Sequence, residues 1–285
     1  MKVGLVTAEK DSSFEDREKV LIDAFAKRGY TVVALVWTDR SIKWDQYDCL
    51  IIRSCWDYHE KIDEFLQWLN KVELLGVPLF NPIEVVRLNH SKRYLQELND
   101  AKFNLIPTLW FDASDSPNLK TIAKNNNWDS LIIKPNIGAT AYKTVKLDSN
   151  QIEAFSFSNL GFQYDHGFMI QPFVKEIESS GELSIIFFNK EYSHAVLKSA
   201  KEGDFRVQSN FGGTVTSFKP AKVIIEQARD VLGFFNFDLL YARVDGILRE
   251  DSLVIMEVEL IEPELFISTR ETAARFVDAF EILSS

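Results

Sequence analysis

Cysteine is nearly missing from this 285-residue chain. The two present, Cys49 and Cys55, stand near the end of one apolar run. That is too few for a disulfide framework or a zinc site, so both are read as buried thiols. Histidine is also sparse: His59, His90, His166 and His194 are scattered without the spacing of metal ligands. No nucleophile-elbow pattern occurs, which removes support for a Ser/His/Asp hydrolase. Positive charge is in deficit, and the formal net charge of −10 argues against nucleic acid or an anionic membrane bound through bulk charge. Internal repeats and low-complexity tracts are lacking. No apolar run approaches membrane-spanning length, and MKVGLVTAEK has no long apolar signal core. A soluble, cytoplasmic protein is expected.

What is present is apolar. Hydrophobic residues make up 46% of the chain and phenylalanine alone occurs 22 times, enough to build one large or two modest cores. Lys2 to Ala8 reads as a strand, Asp11-Ser12-Ser13 as candidate helix caps, and Val20, Leu21, Ala24 and Phe25 as one face of a helix closed by Gly29. Thr31 to Trp37 and Cys49 to Ser54 read as two more strands. Strand, helix and strand with short links predict a βαβ unit, so residues 1–85 are expected to form a small parallel α/β domain.

The loop after the third strand, RSCWDY, lies where open α/β sheets bind ligands. Arg53, Trp56, Asp57 and Tyr58 could hold a small zwitterion there, guanidinium on carboxylate and carboxylate on amine, with rings closing the sides. The alternative packs Trp56 and Tyr58 under a helix from Ile62 to Leu74 and leaves Arg53 and Asp57 as a surface pair. Leu79-Phe80-Asn81-Pro82 breaks the pattern and carries the chain toward a second domain, residues 86–285. A helix beginning near Asn89 to Ser91 puts Lys92 and Arg93 in its first turn, where a cation gains nothing from the helix dipole. An anionic partner would explain that placement; a solvated lysine is the plain alternative.

Lys134 interrupts the apolar strand LIIKPNI, where an unpaired ammonium is costly and must reach water or an anion. Gly138-Ala139-Thr140-Ala141 follows, a small-residue loop able to close over phosphates, although one glycine makes a weak signal. FMIQPFV, from Phe168 to Val174, is a buried strand. Gly181 to Asn189 and Glu191 to Lys198 read as a hairpin, and Phe205 to Thr216, with Arg206 and Gly212-Gly213, as a loop and candidate lid. Val223 to Phe234 and Glu271 to Leu283 are expected helices.

Tyr241 to Ile267 holds two apolar strands joined by the polar turn Leu248 to Ser252, with acids at alternate positions. Side chains two apart share a face, so Arg243 goes with Asp245 and Glu257 with Glu259. Paired as a hairpin, Asp245, Glu257 and Glu259 would converge into a three-carboxylate cluster edged by a guanidinium. Such a cluster needs counter-charge, and Mg²⁺ takes oxygen ligands of this kind while bridging nucleotide phosphates. The alternative is a hairpin with one solvated face.

Taken in order, Lys92, Lys134 before its small-residue loop, IQPFV, GELSII, ARVDG and MEVELIEP resemble the ATP-grasp superfamily over nearly the whole chain. The resemblance implies an α/β plus α+β architecture. An N-terminal parallel α/β domain would help form the substrate site, and two α+β lobes, about 86–172 and 173–285, would hold the nucleotide between them. By position, Lys92 and Lys134 would contact ATP phosphates. Gln171, Pro172, Phe173 and Val174 would be the hinge facing adenine, and Glu182 would accept from the ribose. Asp245, Glu257 and Glu259 would hold Mg²⁺, commonly as two ions, with Mn²⁺ as the other option. Lys198, Arg206 and Arg243 would be cations around the γ-phosphate or the reacting carboxylate.

RSCWDY, SHAVLKSA, NFGGTV and ELIEPELFI resemble more narrowly the branch of cycloserine-biosynthesis cyclo-ligases and proteins similar to prokaryotic glutathione synthetases. Many superfamily members have Asn where Glu259 stands. The resemblance implies an ATP-dependent carboxylate–amine ligase acting through an acyl phosphate on a small amino acid or dipeptide. Its partners would be small-molecule carboxylates and amines, and a homodimer is left open. A catalytically silent nucleotide-binding sensor is the alternative.

Overall fold

The computed structural model describes residues 1–11, 14–201, 206 and 212–285. The candidate caps Ser12 and Ser13, and residues 205 and 207–211 of the candidate lid, lie outside them. The chain opens with β1 (Lys2–Thr7), α1 (Phe14–Lys27), β2 (Thr31–Val36), β3 (Cys49–Ser54), α2 (Ile62–Leu74) and β4 (Leu79–Phe80). The strands form a parallel sheet in the order β2-β1-β3-β4. All six residues of β3 are buried, as expected of a parallel strand covered on both faces. On one face α2 sets Phe65, Leu69 and Val72 against Leu50 and Ile52. On the other, Phe25 of α1 packs with Val3, Leu5 and Ile51.

Leu79-Phe80, expected as a connection, is instead the edge strand, in register with Leu50 and Ile51. Its two residues carry no period for a sequence reading to find. Cys49 and Cys55 are both buried. Burial pushes the Cys49 thiol up to about 12 and Cys55 well above its ordinary value. Since the thiolate is the nucleophile, both cysteines are expected to resist iodoacetamide in the native protein and to react in urea, with the adducts counted by mass spectrometry. Labelling of either one without denaturant would contradict this packing.

Next come α3 (Ile83–Asn89) and α4 (Tyr94–Asp100). The helix expected to begin at 89–91 begins instead at Tyr94, and Lys92 and Arg93 lie in the turn that joins it to α3. Tertiary bonds explain the break. The Lys92 amide donates to the Asn136 carbonyl at 2.7 Å, and the Asn89 side chain bonds the Val258 carbonyl and the Leu260 amide.

A four-stranded antiparallel sheet follows, ordered β5-β8-β6-β7. It comprises β5 (Leu109–Phe111), α5 (Leu119–Asn126), β6 (Leu131–Pro135), β7 (Val145–Leu147), α6 (Ser149–Ala154) and β8 (Phe168–Pro172), with α7 (Glu176–Ser179) after it. It has its own core, in which Leu131, Ile133, Phe168 and Ile170 meet Leu119 and Ile152 from the helices. Its short elements carry little apolar pattern. In α5 only Leu119 is buried, and the Asn118 side chain caps the helix by accepting from the Thr121 amide.

The last part holds β9 (Glu182–Phe188), β10 (Glu191–Ser199), β11 (Thr214–Phe218), α8 (Lys222–Phe234), β12 (Tyr241–Arg249), β13 (Ser252–Glu259) and α9 (Arg270–Leu283). These strands form an antiparallel sheet ordered β11-β10-β9-β12-β13. Helix α8 covers one face through Ile224, Ala228 and Leu232. Phe276 and Phe280 of α9 join Phe25, Phe188 and Tyr241 in a core shared with the parallel sheet. Buried polar bonds fasten the two sheets together. Asn81 Nδ2 donates to the Tyr241 and Leu260 carbonyls, both at 2.8 Å. The Tyr241 hydroxyl lies 2.9 and 2.7 Å from the carbonyl oxygens of Ile52 and Ile261.

Candidate functional site

A cavity of about 350 Å³ lies where the three sheets meet. Its acidic wall is the hairpin β12–β13, in which Arg243 faces Glu259 and Asp245 faces Glu257 across the pair. The register then slips between Asp245 and Gly246, leaving Met256 as an extra residue on β13. This bulge lets the consecutive side chains Met256 and Glu257 both line the cavity. Gly246 is needed beside it, because a Cβ there would stand 2.6 Å from the Val254 carbonyl oxygen.

Each hairpin acid meets a cation. Asp245 accepts from Arg243 Nη2 at 2.8 Å, Lys198 Nζ at 3.2 Å and Ser184 Oγ at 2.6 Å. Burial would raise its pKa, but the two cations hold it well below the usual carboxylate range. Glu259 pairs with Arg243 and Glu257 with Lys92. Burial, aided by Asp245 and Glu257, nevertheless pushes Glu259 up to about 7 against the pull of Arg243. Glu182, paired with Lys198 from the neighbouring strand, is raised by burial.

The expected convergence of Asp245, Glu257 and Glu259 into one cluster needs correction. Among the described residues no three His, Cys, Asp or Glu side chains come close enough to hold one ion. Each of the three carboxylates instead lies beside a lysine or an arginine. The donor set still fits a hard divalent cation: all three are carboxylates on facing strands, and Glu257 and Glu259 retain 31% and 27% side-chain exposure toward the cavity.

The opposite wall comes from the four-stranded sheet. Lys134 on β6 lines the cavity without a hydrogen bond or ion pair among the described residues. Burial pushes its ammonium below the ordinary lysine value. Lys92 is half-buried, and Glu257 and the other acids outweigh the cost of burial and raise its pKa. Beside Lys134, Gln171 to Val174 line the cavity where β8 leaves the sheet. Gln171 donates to Thr108 Oγ1 at 2.9 Å, and the Phe173 amide donates to the Ser130 carbonyl at 2.9 Å. Gly138 to Ala141 and Arg206 also border the cavity.

The parallel sheet supplies the remaining end through Trp56 and Tyr58. Its two charged candidates are elsewhere. Arg53 is 2% exposed and donates to Glu18 of α1 from Nε at 3.1 Å and Nη2 at 3.0 Å. Asp57 accepts from Trp37 Nε1 at 2.8 Å and has Lys61 Nζ at 3.7 Å. Neither lines the cavity, and neither forms the surface pair of the alternative reading. With both faces of β3 covered, a guanidinium on it is tolerable only beside a carboxylate. Sequence reasoning also passed over Glu262, which lines the cavity and is raised well above the ordinary glutamate value by burial and by Glu259. Its signal was an acid between Ile261 and Pro263 in an otherwise apolar run.

Comparison with known proteins follows the same lines. Residues 3–81 match the family model for the N-terminal domain of D-cycloserine synthetase DcsG. The chain is 27% identical to the cycloserine biosynthesis protein DcsG of Streptomyces lavendulae over 281 aligned residues, 91% of each protein. The crystal structure of D-cycloserine synthetase DcsG superposes over all of both chains with a TM-score of 0.88 at 23% identity. The ATP-grasp ligase PsnB, in complex with a precursor variant, Mg and ADP, matches over 99% of this chain and 98% of its own, with a TM-score of 0.64 at 13% identity. The chain has the ATP-grasp fold. Within the ATP-grasp fold, D-alanine–D-alanine ligase from Bacillus anthracis complexed with ATP is another match, with a TM-score of 0.72 at 15% identity over all of this chain and 97% of its own. The ATP-grasp fold accounts for the two antiparallel sheets that enclose the cavity, and the parallel sheet closes one end. No helix among the described residues is long and apolar enough to cross a membrane.

Proposed function

We propose that the protein is an ATP-dependent carboxylate–amine ligase that forms a C–N bond through an acyl phosphate. Its substrate is a small amino acid or dipeptide, and the bond closes either between two molecules or within one. The observation that carries the reading is the meeting in one cavity of Lys92 and Lys134 with the carboxylates of β12–β13. DcsG and D-alanine–D-alanine ligase, both similar to this chain, support it. So does the set of cations and acids, which a silent nucleotide sensor would not need.

A carboxylate is a poor acyl donor because oxide is a poor leaving group. In the proposed reaction a substrate carboxylate oxygen bonds to the γ-phosphorus of ATP while the bond to the β–γ bridging oxygen breaks, releasing ADP. The amine then attacks the acyl carbon, phosphate leaves, and the amine gives up a proton. Lys134 and Lys92 hold phosphate charge, Gln171 to Val174 bound the adenine end, and Glu182 meets the ribose. Arg243, Lys198 and Arg206 neutralise charge that develops on the transferring group. Asp245, Glu257 and Glu259 would hold Mg²⁺, which supplies charge neutralisation at the phosphates. Trp56 and Tyr58 face the substrate, and residues 1–85 are assigned as the domain that carries it. Excluding water then protects the acyl phosphate.

The expected result is that ADP release from Mg–ATP rises severalfold or more with a particular small amino acid, dipeptide or ureido-amino acid. Tight Mg–ATP binding without stimulation by any member of such a panel would favour a sensor. No nucleotide binding would remove the reading altogether.

A further inference from the structure

One buried acid in the cavity has no task in this chemistry. Glu262 follows β13, is 8% exposed and lines the cavity. Its recorded hydrogen bond uses only the main chain: Trp56 Nε1 donates to its carbonyl oxygen at 3.0 Å. Among the described residues its carboxylate has neither a hydrogen bond nor an ion pair. The other cavity acids are provided for. Glu182 has Lys198, Asp245 and Glu259 have Arg243, Glu257 has Lys92, and Glu264 has Arg17 at 3.6 Å.

We propose that Glu262, framed by Trp56 and Tyr58, binds the ammonium group of the substrate and makes the protein select an amino-acid zwitterion over a plain carboxylic acid. The inference rests on the ligase reading and adds the substrate's charge pattern to it. A carboxylate without a partner in such a site is costly and keeps its proton, unless a cation from outside completes the pair. Among the described residues Lys92, Lys198 and Arg243 already pair with other acids. Lys134 has no ion pair among the described residues, and the acids that act on its ammonium are Glu257 and Glu182.

Position points the same way. Glu262 follows the hairpin, and its carbonyl takes the indole N–H of Trp56 from the end closed by the parallel sheet. Glu262 and Tyr58 line the same cavity, and after burial Glu262 does most to raise the Tyr58 hydroxyl. The Trp56 ring is held from behind by Arg17, 4.5 Å from its centroid. Two aromatic walls beside one anion suit an ammonium group, through its charge and through its carbon substituents. An ammonium held there would leave the same molecule's carboxylate to extend toward Arg243 and the phosphates.

The test pairs each stimulating amino acid with its des-amino counterpart and measures ADP release for the wild type and Glu262→Gln. The wild type is expected to favour the amino form. The variant should lose about 10- to 100-fold of that preference, chiefly through KM, and Mg–ATP binding reports that the variant is folded. Equal use of both forms by the wild type, or an unchanged preference in the variant, overturns the assignment. A shifted Mg²⁺ requirement with the preference intact would give Glu262 to the metal and also overturn it. If no acid of either kind stimulates ADP release, the ligase reading itself fails and this inference falls with it.

Discussion

Asp245→Asn is expected to lower substrate-stimulated ADP release by roughly 10²–10³-fold, the loss typical of removing one electrostatic contact at a reacting centre. The substitution keeps the shape of the side chain and its bond from Ser184, but deletes the negative charge between Arg243 and Lys198. Two cations then face each other across a neutral amide. Arg243 shifts toward Glu259, and the aim of both cations at the transferring group is lost. The deficit should appear in kcat at saturating Mg–ATP, because Lys92 and Lys134 still hold the phosphates. Rate measurements over a Mg²⁺ titration check this. Full activity in the variant would remove Asp245 from the reaction.

Arg53→Ala is the second large effect, and it falls on stability. The guanidinium is buried, and its two bonds to Glu18 tie β3 to α1. Deleting it leaves the buried Glu18 carboxylate with Arg17 Nε, 3.6 Å away, as its remaining ion-pair partner, a cost of up to about 3–5 kcal/mol. A urea melt should show a loss of that size, and KM for the amino substrate should hardly move in the folded fraction. Arg53→Met combined with Glu18→Leu should recover most of the stability, since neither side chain then needs a partner. A stable Arg53→Ala protein with a raised KM would return Arg53 to the substrate site.

The two variants mark where the sequence was legible. Acids at alternate positions of β12 and β13 stood out against apolar neighbours, and a period of two gave the face shared within each strand, while the facing of Asp245 with Glu257 belongs to the hairpin register. Helix α2 was equally plain, its apolar stripe running from Ile62 to Val72. Arg53 was not readable in the same way. When both faces of a strand are buried, alternation no longer distinguishes the side that meets a ligand from the side that meets a helix. The choice was made by Glu18, 35 residues away in sequence. The bulge at Met256 and the turn at Lys92 depend on tertiary bonds that leave no local period. Elements such as β5 and β7, three residues each, are too short to show one.

Asn81 and Tyr241 have a consequence for inheritance. Both bond across the seam between the parallel sheet and the five-stranded sheet, and each satisfies main-chain groups on the far side. Grafting the first 81 residues of a relative onto this chain would strand those buried carbonyls unless the newcomer brought an amide to the same spot. The segment is therefore a poor unit for recombination. New substrate preferences are reached more cheaply by changing single side chains around the cavity than by exchanging the domain that carries Trp56 and Tyr58.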